Sequence, residues 1–117
     1  MHEMGIVSGI LESVTAVARN AGASRICKVN LRIGDMREVV PEAMALAWEV
    51  LCEEDPLTDG CELATEDVHP ESVCNACGTV FSHDRFHLRC PVCGSADTRL
   101  VHGRELDIVS IEVEHPD

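Results

Sequence analysis

The chain has 117 residues, room for one modest hydrophobic core and a small satellite. Its 21 acidic residues against nine lysines and arginines give a formal net charge of −12, a field that opposes nucleic-acid binding and favours a cation or a basic protein face. No apolar run reaches bilayer length, and the opening MHEMGIVSGILE lacks the basic leader of a secretory signal, so the expected setting is the cytoplasm, with its seven cysteines available for metal rather than disulfides.

Residues 4–21 are expected to form a helix, because Met4, Val7, Ile10, Leu11, Val14 and Ala18 recur at helical spacing and Gly22 suits a left-handed end cap. Residues 25–34 alternate: Cys27, Val29, Leu31 and Ile33 on one face, Lys28, Asn30 and Arg32 on the other. That pattern describes a strand with one wet face and places Cys27 in the interior. Gly34-Asp35 ends it, leaving Asp35 and Glu38 in a turn that is either solvated or close to a bound ion. Pro41 opens a second helix, roughly 41–54, with Met44, Ala47, Trp48 and Leu51 as its apolar stripe, and Glu53-Glu54-Asp55-Pro56 stops it. Residues 61–68 alternate more weakly and read as a second strand. Cys52 and Cys61 lack any paired ligand spacing.

The segment 70–99 carries little periodicity but holds Cys74-x-x-Cys77 and Cys90-x-x-Cys93, each pair followed directly by glycine. Twelve residues between the pairs are enough to fold four sulfurs together, and tetrahedral thiolate ligation suits a structural Zn²⁺. An iron site, two disulfides or a dithiol redox pair are the alternatives at this spacing. Such a module is expected to depend on its ion for folding. His83 and His87, four apart between the pairs, are auxiliary ligands or exposed loop residues; His69, His102 and His115 show no local partner.

In the tail, Leu106 and Ile108 share one parity and Val109, Ile111 and Val113 the other, so a bulge near Ile108-Val109 is expected to bury both sets. The result is an α+β fold: two helices packed on a small three-stranded sheet, with an inserted four-cysteine zinc module. The expected domains are 1–69 plus 100–117 and, inserted between them, 70–99.

The second constellation is Met1-His2-Glu3. Bulky His2 should protect Met1 from removal, which leaves an α-amine beside an imidazole. The amine, the His2 amide nitrogen and the His2 ring can close adjacent chelate rings on one ion, and deprotonated amide donors favour Ni²⁺ or Cu²⁺. A frayed terminus with an exposed histidine is the plain alternative.

Taken in order, Met1-His2-Glu3, Ile33-Gly34-Asp35, Val40-Pro41-Glu42-Ala43, the paired CxxCG knuckles, Gly103-Arg104-Glu105-Leu106 and Ile111-Glu112-Val113-Glu114 resemble the HypA/HybF family of hydrogenase nickel-insertion accessory proteins over essentially the whole length. The resemblance implies a nickel metallochaperone rather than an enzyme. It implies structural Zn(II) on Cys74, Cys77, Cys90 and Cys93, and transient Ni(II) at Met1, His2 and Glu3. The implied partners are a HypB-type GTPase and the large subunit of nickel–iron hydrogenase, with urease accessory proteins served by some members; no nucleic acid and no membrane are expected. A zinc-ribbon adaptor for nucleic acid or protein, or a thiol redox protein, is the rival reading.

Overall fold

The first helix, α1 (Glu3–Asn20), buries Val7, Ile10, Val14 and Ala18, the centre of the expected stripe. Met4, at its first turn, is 53% exposed and does not belong to the core. Gly22 terminates the helix at φ 72°, and the Ala23 N–H reaches back to the Ala18 carbonyl at 3.0 Å, so the orphan carbonyls of the last turn are answered. The computed structural model describes residues 2–116.

Strand β1 (Arg25–Gly34) follows, then a short 3-10 turn (Asp35–Arg37), helix α2 (Pro41–Cys52) and strand β2 (Glu62–Val68). Next come β3 (Glu71–Cys74), β4 (Val80–Ser82), β5 (Thr98–His102) and β6 (Leu106–Glu114). Two three-stranded sheets result, in the orders β2-β1-β6 and β4-β3-β5. The closing strand therefore joins β1 after the cysteine segment has been completed, which makes that segment an insertion in the first sheet's connectivity. The α+β class with two helices on sheet and a four-cysteine cluster is the observed architecture.

The chain divides into two compact units: residues 1–31, 39–65 and 108–117, and residues 32–38 with 66–107. In the first unit, Val29 and Leu31 of β1 are buried as the alternation requires, as are Met44, Ala47 and Trp48 of α2. The wet face of β1 is stitched to its neighbours by Lys28–Glu62 at 3.6 Å and by the Asn30 amide donating to Ser110 Oγ at 3.0 Å. Beyond Cys52 the chain turns on Asp55, whose carboxylate accepts the Leu57 N–H at 2.9 Å and meets the Arg19 guanidinium at 2.6 Å. Inside this turn the Thr58 hydroxyl donates to the Cys52 carbonyl at 2.9 Å, and Trp48 Nε1 donates to the Cys61 carbonyl at 2.9 Å. Each caps a buried acceptor that would otherwise destabilise the core.

Several expectations are corrected here. Cys27 is only half-buried, and Ile26, on the opposite parity, is fully buried beside a turn in which its N–H donates to the Leu57 carbonyl at 2.7 Å. Cys52 and Cys61, which showed no paired ligand spacing, are both buried. In β6, Ile108 and Val109 at the expected bulge are 40% and 51% exposed and stay out of the core, while Leu106 of one parity and Ile111 and Val113 of the other are half-buried. In the stretch 70–99, where the sequence shows little periodicity, three strands form, with β5 running on to His102. They are short and one-sided, which leaves no periodic signature. No helix among the described residues is long and apolar enough to cross a membrane.

In the second unit, the turn after β1 is strapped to the segment before β6. Gly34 N–H donates to the Glu105 carbonyl at 2.7 Å, Met36 N–H to the Gly103 carbonyl at 2.8 Å, and Arg37 Nε to the Arg104 carbonyl at 2.7 Å. His69 Nδ1 lies 2.9 Å from Asp35 Oδ2, and His102 Nδ1 lies 3.2 Å from Glu105 Oε2. His69 thus meets a carboxylate 34 positions away, whereas His102, expected to have no local partner, has one three residues on. Glu38 closes the turn at φ 55° and meets Arg85 at 3.5 Å.

Candidate metal centre

The two cysteine pairs are built on one repeated device. At the first, Gly78 N–H donates to the Cys74 carbonyl at 2.8 Å and Cys74 N–H to the Thr79 carbonyl at 2.8 Å. At the second, Gly94 N–H donates to the Cys90 carbonyl at 2.9 Å and Cys90 N–H to the Ser95 carbonyl at 3.0 Å. Both glycines are left-handed, at φ 79° and 75°, which explains a glycine directly after each pair. The knuckle backbone also turns toward sulfur, with Val92 N–H donating to Cys90 Sγ at 3.4 Å.

Strand pairing brings the knuckles together. Strand β3 ends in Cys74, opposite Thr98 of β5, and Ser72 faces Phe81 of β4. Asn75 hooks the first knuckle to the second through Asp97, backbone to backbone at 2.9 Å and amide to carboxylate at 3.0 Å. Cys74, Cys90 and Phe81 form a buried cluster, so two sulfurs are inside while Cys77 and Cys93 face outward. All four sulfurs lie within 4.8 Å of one another, with Cys74 and Cys93 at 3.6 Å and Cys77 and Cys90 also at 3.6 Å.

Four thiolates at this separation repel strongly, so without a cation they cannot all ionise. The thiols divide accordingly. Cys77 is held down at about 6 by the Thr79 hydroxyl, 3.2 Å from its sulfur, and by the Thr79 amide. Cys93 is favoured as a thiolate by the Ser95 amide, yet the sulfur of Cys74, desolvation and the other cysteines push it up to about 11. A divalent ion at the centre removes the conflict by taking the place of the protons. Thr79 carries no ligand spacing and was invisible as a contributor from sequence.

The remaining candidates fall elsewhere. The loop holding His83 and His87 is not helical: the Asp84 carboxylate accepts the Phe86 and His87 N–H groups, both at 2.8 Å, and lies 2.7 Å from His87 Nδ1. His83 is 2.7 Å from the buried Ser72 hydroxyl and 2.6 Å from the Asp84 carbonyl. Among the described residues the four cysteines are the group of three or more ligand side chains close enough to share an ion. At the other end, His2 is exposed and left-handed, at φ 62° and ψ 30°, and Glu3 is the first residue of α1. Met1 lies outside the described residues.

Comparison with known proteins agrees with this arrangement. A family model described as hydrogenase/urease nickel incorporation, metallochaperone, hypA matches residues 1–113. Hydrogenase maturation factors HypA from Chlorobium limicola and Geobacter metallireducens are similar, at 38% identity over 100% of both chains and 37% identity over 97% of this chain and 100% of the relative. The solution structure of the Ni metallochaperone HypA from Helicobacter pylori superposes with a TM-score of 0.72 at 25% identity, covering 99% of this chain and 100% of that one. With a family model spanning residues 1–113 and relatives matched over nearly the whole chain, the chain belongs to the HypA family of nickel-incorporation metallochaperones, which carry metal and are not enzymes.

Proposed function

We propose that this chain carries Ni(II) at its amino terminus and hands it on for hydrogenase maturation, while a resident Zn(II) on Cys74, Cys77, Cys90 and Cys93 maintains the inserted module. In this reading residues 1–69 with 100–117 form the nickel-binding domain and 70–99 the zinc domain. A HypB-type GTPase is the partner in release, the large subunit of nickel–iron hydrogenase the recipient, and urease accessory proteins a further class of client.

The zinc assignment is supported by the sulfur spacing. Zinc–sulfur bonds of about 2.3 Å in a tetrahedron put sulfurs about 3.8 Å apart, close to the observed 3.6 Å pairs. Four protein ligands leave no open position, so the ion shapes the module and takes no part in chemistry.

The observation that carries the nickel reading is where the helical ladder of α1 begins. Its first rung is the Ile6 N–H donating to the His2 carbonyl at 3.0 Å. Backbone nitrogens ahead of Ile6 therefore take up a metal without breaking a helical hydrogen bond. The exposed His2 imidazole sits beside them, and nitrogen donors of this kind suit square-planar Ni(II). An open, terminal, proton-sensitive site suits cargo that must leave again.

The test is nickel addition to the zinc-loaded protein and to its His2→Ala variant, with elemental analysis and calorimetry. One zinc in both proteins and about one nickel in the unaltered protein alone is expected. Equal nickel in both, or none in either, removes the site.

A further inference from the structure

Val40, the residue before α2, has two backbone groups in use. Its carbonyl accepts the Met44 N–H at 2.9 Å and so opens the ladder of α2. Its own N–H lies outside that ladder and donates to Glu3 Oε2 at 3.5 Å, a long hydrogen bond from the start of one helix to the start of the other. Pro41 keeps Val40 extended, at φ −84° and ψ 115°, so α2 fixes where this N–H is presented. A first-turn glutamate ordinarily serves its own helix dipole. Here the carboxylate is also held by the neighbouring helix.

The adjoining residue supplies a second observation. His2 is one of two non-glycine residues with positive φ among those described, in a conformation that is costly for a side chain bearing Cβ. Backbone strain of this kind persists where surrounding contacts hold it in place. With Glu3 anchored, residue 2 is the joint at which the chain leaves the helix axis, and its torsions set where the imidazole is presented.

We propose that the Val40 main-chain amide is a positioning group of the nickel site, acting through the Glu3 carboxylate. The inference rests on the nickel reading above and deepens it: the Glu3 side chain serves as a brace, and the turn entering α2 sets the geometry of the terminal chelate. Loosening that turn, for instance when a partner protein grips it, would weaken the hold on nickel without touching a ligand.

Val40→Pro deletes the N–H at a φ the proline ring tolerates, whereas Val40→Ala keeps it. Glu3→Gln keeps an acceptor oxygen, whereas Glu3→Ala does not. Nickel affinity is expected to fall about tenfold in Val40→Pro and in Glu3→Ala, the effect of one hydrogen bond to a charged group, with no further fall when the two are combined. Val40→Ala and Glu3→Gln should retain nickel, and the visible circular dichroism of the bound ion should change in Val40→Pro, a readout that altered stability alone does not move. Undisturbed affinity and spectrum in Val40→Pro, with nickel lost in His2→Ala, would leave the site standing and overturn the brace. Glu3→Gln as weak as Glu3→Ala would overturn it too, by making the carboxylate a ligand. If Val40→Pro does not fold, the two Glu3 variants decide the matter.

Discussion

The carbonyl of Gly103 occupies the place where a Cβ on Gly34 would stand. Gly103 itself is at φ 125°, a backbone state closed to other residues, and a Cβ there would press on Pro70 at 3.0 Å. Two glycines 69 positions apart thus let the end of β1 and the approach to β6 lie backbone on backbone, in register with the hydrogen bonds between Gly34, Met36, Gly103 and Glu105.

Gly34→Ala is therefore expected to cost about 2–4 kcal/mol, since backbone rather than a mobile side chain must give way. Urea unfolding of the zinc-loaded protein reads it. A loss under about 0.5 kcal/mol, the range of an ordinary surface change, would mean that the crossing is loose.

Stripping the metal with a chelator, or replacing Cys90 by serine, should release one ion and melt β3, β4 and β5 while α1 and α2 persist. The two halves of the module are joined by the β3–β5 pairing, the Asn75–Asp97 contact and the sulfurs, but the buried apolar cluster between them is the small one with Phe81, too little to hold them without the ion. Hydrogen exchange resolves the pattern: amides of 71–74 and 98–102 lose protection, and those of 7–18 keep it. Uniform protection after metal removal would show that the sheet stands without its ion.

Thiol labelling should divide the seven cysteines. Burial pushes Cys52 up to about 12 and Cys61 up to about 11, and desolvation also raises Cys27. At pH 8 these thiols are protonated and, in the first two cases, covered. In the zinc-loaded protein an alkylating reagent should spare Cys52, Cys61 and the four metal ligands. Removing zinc should open the four knuckle thiols together, since the module that holds them melts with its ion. Rapid modification of Cys52 in the loaded protein would contradict this burial.

Acid should erase the contribution of Asp55. Its carboxyl is held below the ordinary value, first by the Leu57 N–H and then by the Arg19 guanidinium. A carboxyl depressed in the folded state adds stability above its unfolded pKa, about 3.9, and loses it as pH falls through the lower folded value. Asp55→Asn should thus unfold at a lower temperature than the parent at pH 7, with the gap closing below about pH 4. Metal release affects both proteins alike, so the difference isolates Asp55. A gap that persists at pH 2.5 would assign the effect to shape rather than charge.

The period-coded parts of this fold were legible in the chain. Val7, Ile10, Val14 and Ala18 repeat every helical turn, Val29, Leu31 and Ile33 alternate, and both sets lie inside. The knuckles were legible for a different reason: four sulfurs around one ion need two short chelating loops, and a left-handed glycine must follow each. Short strands such as β4, three residues long, arise from pairing with β3 and leave no pattern of their own.

What the sequence determined by itself was the chemistry available: four clustered thiols, a terminal imidazole and the amphipathic faces that build the core. Only the tertiary structure decided which distant groups meet. The partnership of His69 with Asp35, the burial of Cys61 behind Trp48 Nε1, the crossing of Gly34 and Gly103, and the reach of Val40 to Glu3 all join residues 13 to 69 positions apart. Local periodicity reports which way a side chain faces, not what the folded chain brings opposite it, so such contacts have no signature until packing has been completed.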